Sequence, residues 1–235
     1  MEQRAFIEPV AKPGNAARVQ QAKPAAKGHA APYDTRFRRL IGSKGWAALP
    51  GSVQRRFSKR VVDQRVVLYP GVIREARFSK LGWLFAQSCR LVGAPLPLGR
   101  ECGLPAAVSV MEDPEGKGQF WTRTYARKSG FPQVIHSSKR FGGETGLEEH
   151  IGPGTSWGIG MALKVSAMDD GIAFRSDHYF LHARGKRLRL PAWLSPGETV
   201  VKHRHVSEDS FAFSLQLSHK WLGELVYQEG LFHDV

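Results

Sequence analysis

Cysteine is nearly absent from this chain. Cys89 and Cys102 are the two in 235 residues, and their spacing fits no metal motif. That excludes a dense disulfide framework and a cysteine-ligated zinc site. The pair reads as two reduced structural thiols of a cytoplasmic protein, with a single disulfide as the alternative. Long apolar runs are missing too. None approaches the ~20 residues a membrane-spanning helix needs. The first residues carry Glu2, Arg4 and Glu8 with no apolar stretch, against a secretory signal. There is no His-Glu-x-x-His, no phosphate-cradling glycine loop ending in Lys-Ser or Lys-Thr, and no strand-to-helix dinucleotide fingerprint. Neither a cofactor nor a metal is expected.

Acidic residues are scarce in one region. The formal charge is +13. Residues 1–60 hold thirteen Lys and Arg against Glu2, Glu8 and Asp34, a net of +10, which leaves +3 for the rest. The basicity belongs to one end, whereas a nucleic-acid-binding fold shows basic clusters on its folded surface. Residues 1–32, poor in aromatics and rich in Ala, Lys, Gln, Pro and Gly, read as a disordered tail. An anionic membrane or nucleic acid is the partner class this end would take.

What the chain has in abundance is alternation. In Phe211-Ala212-Phe213-Ser214-Leu215-Gln216-Leu217-Ser218 every second residue is apolar, the mark of a strand with one buried face. Ile159, Met161, Leu163, Val165 and Ala167 repeat it. Strands are expected at 61–69 and 72–79 (or one bent at Pro70-Gly71), 105–111, 120–125, 131–139, 146–151, 159–168, 172–183, 199–206, 211–218 and 224–230. Asp169-Asp170-Gly171 signals a tight turn. Residues 190–197 read as a packed loop or short helical turn. Connections this short imply antiparallel neighbours.

Two stretches are helical. Phe37, Leu40, Ile41, Trp46, Leu49, Val53 and Phe57 form an apolar stripe over residues 36–57, broken by glycines and Pro50-Gly51 into two short helices, with Asp34 and Thr35 as caps. Residues 81–92 form the most apolar helix, with Leu81, Leu84, Phe85, Ser88 and Val92 on one face, ended by Gly93 and Pro95. The fold class is mainly β: a strongly curved antiparallel sheet or incomplete barrel packed on the short N-terminal helices and one apolar helix, as a single domain over residues 33–232.

The candidate site is Trp121, Arg123 and Tyr125, alternate residues on one strand face, with Glu149 as the carboxylate partner. An arginine between aromatics is a stacked cation with directional donors. It would hold an anionic head while Trp121 and Tyr125 line an apolar body. His178 with His182, and His203 with His205, are two pairs read as lying on exposed strand faces. Asp177-His178 is discounted as a catalytic pair because adjacent strand residues face opposite ways.

The order and spacing of several segments resemble the bacterial family called domain of unknown function 4166. They are the helix at 81–92 with Gly93-Ala94-Pro95, Trp121-Thr122-Arg123-Thr124-Tyr125, Leu147-Glu148-Glu149-His150-Ile151-Gly152-Pro153, and Leu190-Pro191 with Trp193-Leu194-Ser195-Pro196. Phe211-Ala212-Phe213 and Leu222-Gly223-Glu224-Leu225-Val226-Tyr227 complete them. The resemblance spans residues 35–232. It implies family-typical status for Trp121, Arg123, Glu149, Gly152 and Pro153, with no catalytic role. Relatives attached to a dehydrogenase-like domain imply an accessory role. Lys202-His203-Arg204-His205 departs from the family, where an acidic residue is usual. The expectation is a non-enzymatic module holding a small apolar or lipid-like ligand with an anionic head. The alternatives are an enzyme or enzyme-accessory domain using Arg123 and Glu149, and an anionic-surface binder acting through residues 1–60.

Overall fold

The computed structural model describes residues 33–62, 65–92, 96–113, 115, 118–151, 157–184 and 186–235, all in one compact unit. The tail at 1–32, the helix stop at Gly93 and Pro95, part of the 113–118 turn, and Gly152-Pro153-Gly154 lie outside the described residues.

Three short helices open the fold: α1 (Arg36–Ile41), α2 (Ser43–Ala48) and α3 (Gly51–Ser58). The sequence suggests two. The third exists because Gly42, at φ +82°, and the extended Leu49-Pro50 step each break the helical path. Asp34, not Thr35, does the capping work, its Oδ1 accepting from the Arg36 backbone N–H at 2.9 Å.

Eleven strands follow: β1 (Val67–Phe78), β2 (Pro105–Asp113), β3 (Gly118–Tyr125), β4 (Gln133–Phe141), β5 (Leu147–Ile151), β6 (Trp157–Met168), β7 (Gly171–Ala183), β8 (Lys186–Arg189), β9 (Glu198–Ser207), β10 (Ser210–His219) and β11 (Gly223–His233). All neighbours are antiparallel, in the order β6-β5-β4-β3-β2-β1-β11-β10-β9-β7-β8. Pairing of β6 with β7 closes ten of them into a barrel and leaves β8 outside the ring. The curved sheet thus closes fully, which removes its edges. The first strand is single and runs through Pro70. That proline stands one residue outside the β1–β11 ladder, which begins at Gly71↔Phe232.

The barrel has two unlike ends. At one lie the tight turns at 169–170 and 208–209 and helices α1–α3. Their stripe is spent inside: Phe37, Trp46, Leu49, Val53 and Phe57 are buried with Leu163, Ile172 and Phe174. The Phe37 and Phe57 rings meet edge to face at 5.0 Å. Arg56 reaches Asp234 at 2.6 Å and Ser52 Oγ meets His205 Nδ1 at 2.7 Å, so helix and barrel rim are bonded as well as packed.

At the other end lies α4 (Lys80–Ser88), continued by a 3₁₀ turn at Cys89–Val92. It departs from its expected orientation. The buried face is Gly82, Ala86 and Cys89, while Leu81 and Leu84 are exposed. The reason is close approach: a β-carbon at Gly82 would overlap the Leu225 carbonyl oxygen, so only small residues fit against β11. Ser79 caps the helix, accepting from Gly82 N at 3.0 Å.

Strand β7 has a fork on one side. It pairs with β9 along Gly171–Arg175 and with β8 along Phe180–Ala183. Between these ladders the bonds are isolated ones. The Thr199 N–H donates to Ser176 Oγ at 2.9 Å, and the Leu190 N–H donates to the Tyr179 carbonyl at 2.8 Å. The loop at 190–197, with its short 3₁₀ turn Ala192–Leu194, bridges the gap.

Candidate functional site

The barrel is not filled. A cavity of about 290 Å³ lies between the helical plug and the α4 end. Phe85, Met161, Leu194, Pro196, Leu215 and Leu217 are among the residues that line it. Those on strands come from alternate positions, so the sequence pattern that makes the barrel also makes the lining apolar. Arg123 and Glu149 are its charged residues, set among otherwise apolar and hydroxyl-bearing neighbours.

Strand register assembles the charges. Glu149 of β5 stands opposite Lys139 of β4, and Lys139 opposite Gln119 of β3, four residues from Arg123 on the same inner face. Lys139 Nζ donates to Glu149 Oε2 at 2.7 Å, and Arg123 Nη2 lies 3.7 Å from Glu149 Oε1. All three are buried. Burial alone would raise the Glu149 pKa, but the Lys139 and Arg123 cations outweigh it and hold it down to about 2. Burial pulls Lys139 below its usual range, with Glu149 opposing. Two basic side chains thus converge on one carboxylate. Arg123 Nε is buried without a hydrogen-bond partner among the described residues.

Arg123 and Glu149 thus meet in one cavity wall. Trp121 and Tyr125 share their strand face but sit elsewhere. Trp121 donates from Nε1 to Gln119 at 3.2 Å and lines a second cavity of about 30 Å³ with Phe57, His203 and Phe211. Tyr125 packs in a smaller cluster with Tyr69, Val108 and Ile135. The cation over the Trp121 ring is Lys139, at 5.2 Å from its centroid. Sequence reasoning passed over Lys139 as an ordinary strand residue; its position between Val134–Ile135 and Phe141 gave no signal without the register. Tyr179 and Thr199 went unnoticed as well. Their hydroxyls bond at 2.6 Å in the cavity wall.

The histidine pairs lie on opposite faces of the wall. His203 points inward, buried and stacked on Phe211 at 4.0 Å. His178 and His182 point outward, packed about Phe180. The expectation of exposed histidines fails for His203 and His178, which are both buried. Room for the outer rings comes from β6, where a β-carbon at Gly160 would overlap the Phe180 ring. The Asp177-His178 argument is overturned too. A bulge between Ala162/Leu163 pairings places Ser176 and His178 opposite successive residues, so Asp177 is the extra one. Its Oδ2 accepts from His178 Nδ1 at 2.8 Å, while Arg187 Nη2 approaches Nε2 at 3.2 Å. Both ring nitrogens are occupied, and Ser176 faces inward toward Thr199, so the pair orients β8 and no nucleophile.

Cys89 and Cys102 are free thiols. Cys89 lines the cavity, and burial pushes its pKa up to about 11, which leaves little thiolate for chemistry. No group of three or more metal-ligating side chains occurs among the described residues, and none of their helices is long and apolar enough to cross a membrane.

No curated protein and no solved structure matches the chain. Residues 49–232 match the family model described as domain of unknown function DUF4166. That span takes in α3, the whole barrel, Arg123, Lys139 and Glu149, and leaves out α1 and α2. The chain belongs to the DUF4166 family.

Proposed function

We propose that this barrel is a binding module for an apolar molecule carrying one compact anionic group, a carboxylate or its equivalent. The observation that supports it is the buried charge cluster at the cavity: Arg123 and Glu149 line it, Lys139 bonds the same carboxylate, and the Arg123 Nε–H is left without a partner among the described residues. A buried arginine N–H left without a partner is costly, and a ligand anion would offset it. The apolar wall would take the ligand's chain by the hydrophobic effect. Glu149, held at about pKa 2, is a poor proton acceptor, so the pair suits fixing an anion better than acid–base catalysis.

Titration with a fluorescent medium-chain fatty acid, and with its methyl ester, tests this reading. The acid should bind the wild type at least tenfold more tightly than the ester. Arg123→Met should remove that preference while leaving the ester's affinity nearly unchanged. Equal binding of acid and ester by the wild type would refute the anionic-head assignment.

A further inference from the structure

Among the described residues the exposed tryptophans collect at one end, and Tyr33 is an exposed aromatic at the other. Of its six tryptophans, Trp46 and Trp121 point into the barrel. Trp83, Trp157, Trp193 and Trp221 are 42%, 47%, 77% and 74% exposed. Topology puts all four at the α4 end: Trp83 on α4, Trp157 at the first residue of β6, Trp193 in the 190–197 loop and Trp221 in the β10–β11 turn. Phe131, 90% exposed, lies in the β3–β4 connection at that same end. Leu81, Leu84, Leu188, Leu194 and Leu222 add exposed aliphatic surface beside them. Trp193 and Trp221 line one groove, and Leu194, next to Trp193, also lines the cavity.

Exposed cations are interleaved with this surface: Lys80, Arg90, Arg127, Lys128, Arg184 and Lys220. Lys220 Nζ lies 4.0 Å from the centroid of the Trp221 ring. The nearby carboxylates Glu198 and Glu224 are already bonded, to Arg175 and to Arg77. The face is therefore apolar and net positive, and its apolar groups stand on separate loop tips instead of one flat strand.

We infer that the α4 end docks on the surface of an anionic lipid bilayer. Tryptophan prefers the boundary between headgroups and acyl chains, and lysine and arginine extend from there to anionic headgroups. A protein partner of matching shape would call for a continuous packed patch, not projecting tips. Phe85 of α4 and the exposed Leu194 also line the cavity, so docking would bring that wall toward the acyl layer. The inference does not depend on what occupies the cavity, and it places lipid contact at the end opposite residues 33–60.

Vesicle co-sedimentation of the full chain tests it, with phosphatidylcholine alone and with a phosphatidylserine fraction added. The wild type should pellet with the anionic vesicles, lose at least tenfold in affinity as salt rises, and show a blue shift of tryptophan emission. Trp193→Ala/Trp221→Ala, altering two exposed loop tips, should lower the affinity at least tenfold with unchanged thermal unfolding. Lys44→Glu, an exposed change on α2 at the opposite end, should pellet like the wild type. Wild type that stays in the supernatant would overturn the inference. So would a double variant that binds as wild type, which would put the contact at residues 1–60. Concentration-dependent dimerisation abolished by the double variant, with no vesicle binding, would assign the face to a second copy instead.

Discussion

Lys139 and Glu149 face each other across the β4–β5 ladder, with Nζ and Oε2 2.7 Å apart inside the barrel wall. Arg123 approaches the same carboxylate from β3. Removing the carboxylate charge would strand two buried cations. Glu149→Gln should cost about 3–5 kcal/mol in urea unfolding at pH 7. In the fold Glu149 is held down to about 2, against 4.5 for the free group. The folded state therefore binds fewer protons than the unfolded one between those values, and its contribution, full above pH 4.5, is lost as pH falls toward 2. The gap between wild type and variant should close over that window. A constant gap from pH 7 to pH 3 would show that Glu149 is not the titrating group.

His203 gives the fold a second acid sensitivity, nearer neutrality. Its ring is buried between Phe57 and Phe211, and burial, then the Arg56 cation, hold its pKa well below 6.5. Below pH 6.5 the unfolded chain takes up a proton that the folded chain refuses, so stability falls as pH drops, by up to about 1.4 kcal/mol per pH unit for each such histidine. His150 and His182 shift the same way. His203→Phe should flatten the slope between pH 6.5 and 5 by about one proton. Identical slopes in the two proteins would exclude His203 as the source.

The two thiols offer a reporter for the cavity. Cys102 is exposed, whereas Cys89 lines the cavity with its pKa raised to about 11. A disulfide reagent at pH 7.5 should label Cys102 at least tenfold faster than Cys89. Saturating medium-chain fatty acid should slow Cys89 further and leave Cys102 unchanged. Protection of neither thiol by a ligand that demonstrably binds would place that ligand outside the barrel.

The parts of this fold that were readable are those governed by period. Phe211, Phe213, Leu215 and Leu217 do face inward, as do Ile159, Met161, Leu163 and Val165, because strand alternation fixes a side chain's face without reference to its neighbours. What depends on close approach was hidden. Helix α4 has an oily face and a small-residue face, and it buries the second because the β11 backbone leaves no room for the first. Strand β8, Lys186–Arg189, is exposed throughout and shows no apolar face to find. The Asp177 bulge broke the very parity rule used against it. The charged cluster was half legible: Arg123 and Glu149 stood out, but Lys139 joins them only through a register that one sequence does not disclose.

The fork in β7 has a mechanical consequence. Beyond Arg175 the β7–β9 ladder stops, and the wall there is stitched by the Ser176 side chain, the Tyr179 carbonyl and hydroxyl, and the 190–197 loop. The ring thus carries a seam held by side chains and a loop where its other joins are backbone ladders, and that seam lies beside the segment that carries Trp193.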